Sequence, residues 1–107
     1  MEVKERKIQT FETNEGKVPF EDWITNLKDK KVRARIFSRI DRLRLGNFGD
    51  CRSVGGGVYE LRIHFGAGYR VYFGLEGDKI VILLCGGDKK TQKNDIECAQ
   101  MYWKECK

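Results

Sequence analysis

Residues 57–90 read GVYELRIHFGAGYRVYFGLEGDKIVILLCGGDKK, a pattern that predicts three consecutive β-strands ending in a charged turn. Tyr59, Leu61, Ile63 and Phe65 alternate with Glu60, Arg62 and His64, the period of two expected of a half-buried strand. Gly66-Ala67-Gly68 supplies a short hairpin loop, where glycine accepts a positive φ. Residues 69–75 alternate again, with Tyr69, Val71 and Phe73 set against Arg70 and Tyr72. Gly77-Asp78 is a second tight turn, and residues 79–85 (KIVILLC) are apolar in both phases, as in a strand covered on both faces. If Phe65 faces Tyr69, His64 falls beside Arg70 and Arg62 beside Tyr72. Glu60, Arg62, His64, Arg70 and Tyr72 then share one face, because directly opposed residues point the same way.

That polar cluster has two readings. One is an ordinary solvated sheet face. The other is an anion-binding surface: the neighbouring strand is apolar in both phases, so the arginine side is unlike an open face. Two arginines and the Lys89-Lys90 pair against a single acid suit a phosphate better than an internal salt-bridge lattice.

The chain has 107 residues, with 35% charged and 40% hydrophobic, enough for one globular domain with one core. No apolar run reaches membrane-span length, and the opening Met-Glu-Val-Lys-Glu lacks the apolar segment of a signal peptide, so a cytoplasmic protein is expected. Cys51, Cys85, Cys98 and Cys106 include no C-x-x-C pair and there is one histidine; structural zinc is not expected, and reduced thiols are the default in that compartment. No other metal or cofactor is implied. A net charge of +5 favours an acidic partner, nucleic acid or protein.

Residues 3–11 predict a first, edge-placed strand. Pro19 opens a helix where its missing N–H is harmless, with Glu21 and Asp22 in the first turn and Phe20, Trp23, Ile24 and Leu27 on one face. Trp23 reads as a core anchor rather than a base-stacking platform. A second helix over residues 30–45 puts Val32, Ile36, Ile40 and Leu43 in one arc, flanked by Lys31, Arg35, Arg39 and Arg42. Between residues 28 and 44 eight Lys/Arg stand against two Asp. Such a run is often a plain solvated face, yet it also suits a polyanion. Residues 51–54 add a short strand. Residues 91–105 predict a last helix docked by Ile96, Ala99 and Trp103, with Asp88 or Thr91 at its cap. Lys89, Lys90 and Lys93 cluster around its start.

The blocks RARIFSRIDRLRLGNFGD (residues 33–50), GVYELRIHFGAGYRVYF (57–73) and LLCGGDKKTQKNDI (83–96) resemble the RelE/ParE superfamily of toxins, and within it the HigB-type, phage-Gp49-like "addiction module killer" branch. The resemblance covers nearly the whole chain, read as a single toxin domain over residues 1–107. It implies an α/β (α+β) RelE-like fold: a twisted, mainly antiparallel sheet, two N-terminal helices on one face and one C-terminal helix. It also implies the toxin of a type II toxin-antitoxin module, many of which are metal-independent endoribonucleases that cut messenger RNA on the ribosome. The implied partners are a cognate antitoxin, expected to be a small helix-turn-helix protein, together with mRNA and ribosome; operator DNA would be met only through the antitoxin complex. Others in the superfamily poison DNA gyrase, and a non-catalytic, antitoxin-binding co-regulator is the third option.

By motif, the resemblance assigns catalysis to Arg62, Arg70 and Lys89 or Lys90. His64 joins them as an imidazole able to move protons near neutral pH, with a structural or solvated role as its alternative. Glu60 stands where the RelE pattern has a lysine, and the helix tyrosine has no match: Asp95 falls near that position. Glu60 and Asp95 are therefore further candidates for proton transfer. Lys31, Arg35, Arg39, Arg42 and Lys93 are expected to hold RNA or ribosomal phosphates without regard to sequence.

Overall fold

The structure, a computed structural model, describes residues 5–106. Strand β1 (Lys7–Thr10) is followed by helices α1 (Pro19–Asn26) and α2 (Lys30–Arg44), strands β2 (Cys51–Gly55), β3 (Val58–Ile63), β4 (Tyr69–Glu76) and β5 (Ile80–Gly87), and helix α3 (Gln92–Cys106). The first strand expected over residues 3–11 is realised as β1; residues 3 and 4 lie outside the described residues.

The five strands form one sheet in the order β1-β5-β4-β3-β2. Only β1 runs parallel to its neighbour β5; the other pairings are antiparallel. β1 and β2 are thus the edges. α1 and α2 cover one face: Phe20, Ile24, Val32, Ile36, Ile40 and Leu43 pack on the odd-numbered Leu61, Ile63, Val71, Phe73, Val81 and Leu83. On the opposite face α3 lays Ala99 and Trp103 against Val58, Ile82 and Leu84. The element order is the one the sequence patterning predicts, and the α+β class with two helices on one face is the one the resemblance implied.

Two details set up the functional face. Gly74 leaves room for the Trp103 ring, which any Cβ at that position would strike, so α3 can lie close to β4. In β5 one extra residue, Leu84, sits between the pairs Phe73↔Leu83 and Tyr72↔Cys85. Such a bulge shifts the strand's phase. After it Cys85 and Gly87 turn toward α3, and Gly86 turns toward Trp23 of α1.

The expected hairpin register needs correction. Tyr69 pairs with Ile63, not Phe65, and Arg62 pairs with Arg70. Phe65 N–H bonds back to the Ile63 carbonyl and Gly68 N–H to the Phe65 carbonyl, which ends β3 early and makes residues 64–68 the loop. The slip is two residues, so side-chain parity survives and Glu60, Arg62, Arg70 and Tyr72 remain on one face. His64 leaves the strand and does not join them.

Candidate functional site: an arginine cluster around a buried carboxylate

Glu60, in the middle of β3, is wholly buried on the α3 face. Across β2 and β4 its direct partners are Arg52 and Tyr72, so the register delivers donors from three adjacent strands to one carboxylate. Arg52 Nε and Arg62 Nε each donate to Glu60 Oε1 at 3.1 Å. The Tyr72 hydroxyl donates to Oε2 at 3.1 Å, and Gln92 Nε2, from the first turn of α3, donates to the same oxygen at 2.9 Å. Arg70 Nε lies 3.6 Å from Oε2, an ion pair without a hydrogen bond.

Burial pushes the Glu60 carboxyl up, but hydrogen bonds from Gln92, Arg62, Tyr72 and Arg52 outweigh it and hold the group below its ordinary value. Burial first, and then the adjacent carboxylate, push the Tyr72 phenol far above its usual range. Both groups are therefore fixed near neutral pH: Glu60 ionised, Tyr72 neutral. Proton transfer at Glu60, one of the expected options, does not fit this geometry. Its role here is that of a counter-ion that aims three guanidinium groups.

Three guanidinium charges against one carboxylate leave the cluster with two positive charges in excess. The side chains of Arg52 and Arg62 are 53% and 31% exposed, so their outer N–H groups reach solvent. Arg70 is 10% exposed, with Nη1 donating to the Gly68 carbonyl at 2.8 Å. Gly68 lies between the Arg70 guanidinium and the Lys89 side chain, and Lys89 N–H bonds to the Ala67 carbonyl. Lys89 thus flanks the cluster at the hairpin. Lys90 and Lys93 line a separate shallow hollow at the start of α3.

Asp95 lies over Gly87, which pairs with Arg70 in the sheet. A Cβ on Gly87 would collide with the Asp95 carboxylate, so the glycine is what admits it. Burial raises the Asp95 carboxyl above its ordinary value despite a hydrogen bond from the Thr91 hydroxyl, and Asp88 adds to the rise. Of the titratable residues expected to move protons, Glu60 is ion-paired with Arg70, Asp95 lies over the sheet partner of Arg70, and His64 is on the other face.

The other basic surface lies on the opposite face. His64 pairs with Asp50 and shares a hollow with Arg35, Arg39 and Arg42 of α2. Its expected place beside Arg70 is overturned by the early end of β3. Arg39, expected to hold RNA phosphates, is instead spent internally: Nη1 donates to the Arg62 carbonyl at 2.7 Å and Nη2 to the Phe48 carbonyl at 3.2 Å. It braces the loop before β2 against β3. Lys31, Arg35 and Arg42 are exposed and make no ion pair among the described residues.

Sequence reasoning did not find Arg52 and Gln92. Arg52 was legible in principle, since reading Gly55-Gly56-Gly57 as a hairpin turn sets it opposite Glu60. Gln92 had no signal, because the docking angle of α3 decides where it reaches.

These features define an α+β domain with one arginine cluster on the α3 face of its sheet and a basic helix on the other face. Residues 22–103 match the phage-derived protein Gp49-like family (DUF891), and the chain belongs to that family. The matched stretch contains the whole Glu60 network. The chain is also 50% identical over 86 residues to an uncharacterized protein of Haemophilus influenzae, spanning 80% of this chain and 87% of that one. Among the described residues no helix is long and apolar enough to cross a membrane.

Proposed function

We propose that the protein is the toxin of a toxin-antitoxin module and acts as an endoribonuclease on translated messenger RNA, silenced by a cognate antitoxin. The observation that carries this reading is the positive excess of the Arg52-Arg62-Arg70 cluster, preorganised by a buried Glu60. Arginines held at fixed positions suit the charge that grows on a scissile phosphate, since they stay ionised and need not reorganise. In the proposed reaction the ribose 2′-OH loses its proton and its oxygen attacks phosphorus. The bond to the 5′-oxygen breaks and that oxygen takes up a proton, leaving a 2′,3′-cyclic phosphate and a 5′-OH.

Arg62 and Arg70 hold the non-bridging oxygens, with Lys89 assisting. Asp95, with its raised carboxyl pKa, is the group best suited to move a proton. Lys90 and Lys93 would guide the RNA backbone by charge alone.

A second reading, poisoning of DNA gyrase, stays open because Glu60 stands in place of a lysine. Brief induction followed by primer extension on cellular messages separates the two. The nuclease reading expects new 5′ ends within coding regions, lost in Arg70→Ala. DNA breaks with intact messages, or undiminished cleavage by folded Arg70→Ala, would overturn it.

A further inference from the structure

We propose that the groove between α2 and the β3–β4 hairpin binds an unpaired nucleotide of single-stranded RNA, stacking its base on the Phe65–Arg35 pair. The proposal deepens the ribonuclease reading and rests on it for the identity of the ligand. The Arg35 guanidinium carbon sits 4.7 Å from the centroid of the Phe65 ring. The exposed guanidinium lies over one face of the half-buried ring at the end of the hairpin, so the pair is a layered wall whose outer surface can take a further planar group. This wall borders a hollow of about 480 Å³ that Lys31 and Ser38 also line. The hollow continues along α2 into a second one of about 200 Å³ toward Arg42 and His64.

Helical spacing sets this up. At 100° per residue, Lys31, Arg35, Ser38 and Arg42 fall within an arc of about 60° and span about 16 Å along the axis. Three cations with no ion pair among the described residues therefore line one strip. Asp29, the N-cap of α2, accepts from the Lys31 backbone N–H at one end of the strip, and Asp50 at the other end is paired with His64. A row of unpaired cations attracts any polyanion. A row that also carries an aromatic-guanidinium wall suits one whose bases are free to stack, because every base offers a π-face. Duplex RNA hides those faces, and polyglutamate has none to offer.

Placement ties the groove to the arginine cluster. Arg39, in the groove, donates to the Arg62 carbonyl, so the two basic surfaces meet back to back at one point of β3. An RNA strand passing around the hairpin end would touch both.

The probe is a fluorescent single-stranded RNA of mixed sequence carrying 2′-O-methyl groups, which cannot be cleaved through the 2′-oxygen. Anisotropy should show tighter binding of this strand than of its duplex. Phe65→Leu, which keeps the volume apolar, should weaken single-strand binding roughly tenfold. Ser38→Glu puts a carboxylate on an exposed groove position and should weaken it at least as much; it carries the test if Phe65→Leu fails to fold. Equal affinity for duplex, unchanged binding by both variants, or equal competition by polyglutamate would overturn the proposal. Cleavage in cells is read separately. Stacking-dependent binding without cleavage sinks the nuclease reading alone, and cleavage without it sinks this inference alone.

Discussion

Glu60→Gln is the sharpest perturbation of the site, because it keeps the side chain's size and removes its charge. Four donors reach the two carboxylate oxygens by hydrogen bond and Arg70 adds an ion pair. The contributions are unequal. Arg52 is 53% exposed and can return to water, so its pair contributes little. Tyr72 and Arg70 are buried and cannot. Removing one partner from a buried charged network costs about 3–5 kcal/mol, and the remaining amide oxygen can still accept from two of the four donors, which favours about 3 kcal/mol. At roughly 4–8 °C per kcal/mol for a domain near this size, Tm should fall by about 12–24 °C. Thermal unfolding followed by circular dichroism measures the fall in Tm, and urea unfolding measures the loss in free energy. The double variant Glu60→Gln/Arg70→Met should recover part of the loss, with a coupling of about 1 kcal/mol or more.

Acid titration of the wild type offers an independent check. The folded Glu60 carboxyl lies below its unfolded value, so its contribution is complete above the ordinary carboxylate range. It is lost as pH falls through the folded value, and the Gln variant should lack that component. A Glu60→Gln protein within about 1 kcal/mol of wild type would refute the idea that this carboxylate organises the cluster.

Gly74→Ala should drive a methyl into the Trp103 ring, displacing α3 and costing about 1–3 kcal/mol; an unchanged urea midpoint would show that α3 is not packed this closely. Burial pushes the Cys85 thiol up to about 12 and the Cys51 thiol up to about 11. Iodoacetamide near pH 8 should therefore label exposed Cys106 well before either, as read by peptide mass spectrometry. Rapid labelling of Cys85 in folded protein would contradict its buried placement.

The strand alternation of residues 57–75 and the helical arcs of α1, α2 and α3 were legible because burial of one face leaves a period in the sequence. Parity protected the arginine face as well: a two-residue slip changed the partners of Arg62 and Arg70 but not their side. What the sequence hid depended on one extra residue or one docking angle. The bulge at Leu84 brings Gly87 under Asp95. The early end of β3 sends His64 to Asp50 instead of Arg70. Arg39 looked like its basic neighbours on α2, and only tertiary contact with the Phe48 and Arg62 carbonyls distinguishes a brace from a free cation. Likewise Glu60 looked like a misplaced acid until three strands and α3 were assembled around it.

The central claim is that two of the three guanidinium groups, those of Arg62 and Arg70, meet a nucleotide phosphate while the Glu60 carboxylate that holds the cluster stays in place. A crystal structure with a dinucleotide lacking the attacking 2′-hydroxyl tests it most directly. The account expects the phosphate within hydrogen-bond distance of Arg62 and Arg70, near Lys89, with Glu60 still buried beneath. A phosphate seated elsewhere, with both arginines still turned wholly to Glu60, would contradict it.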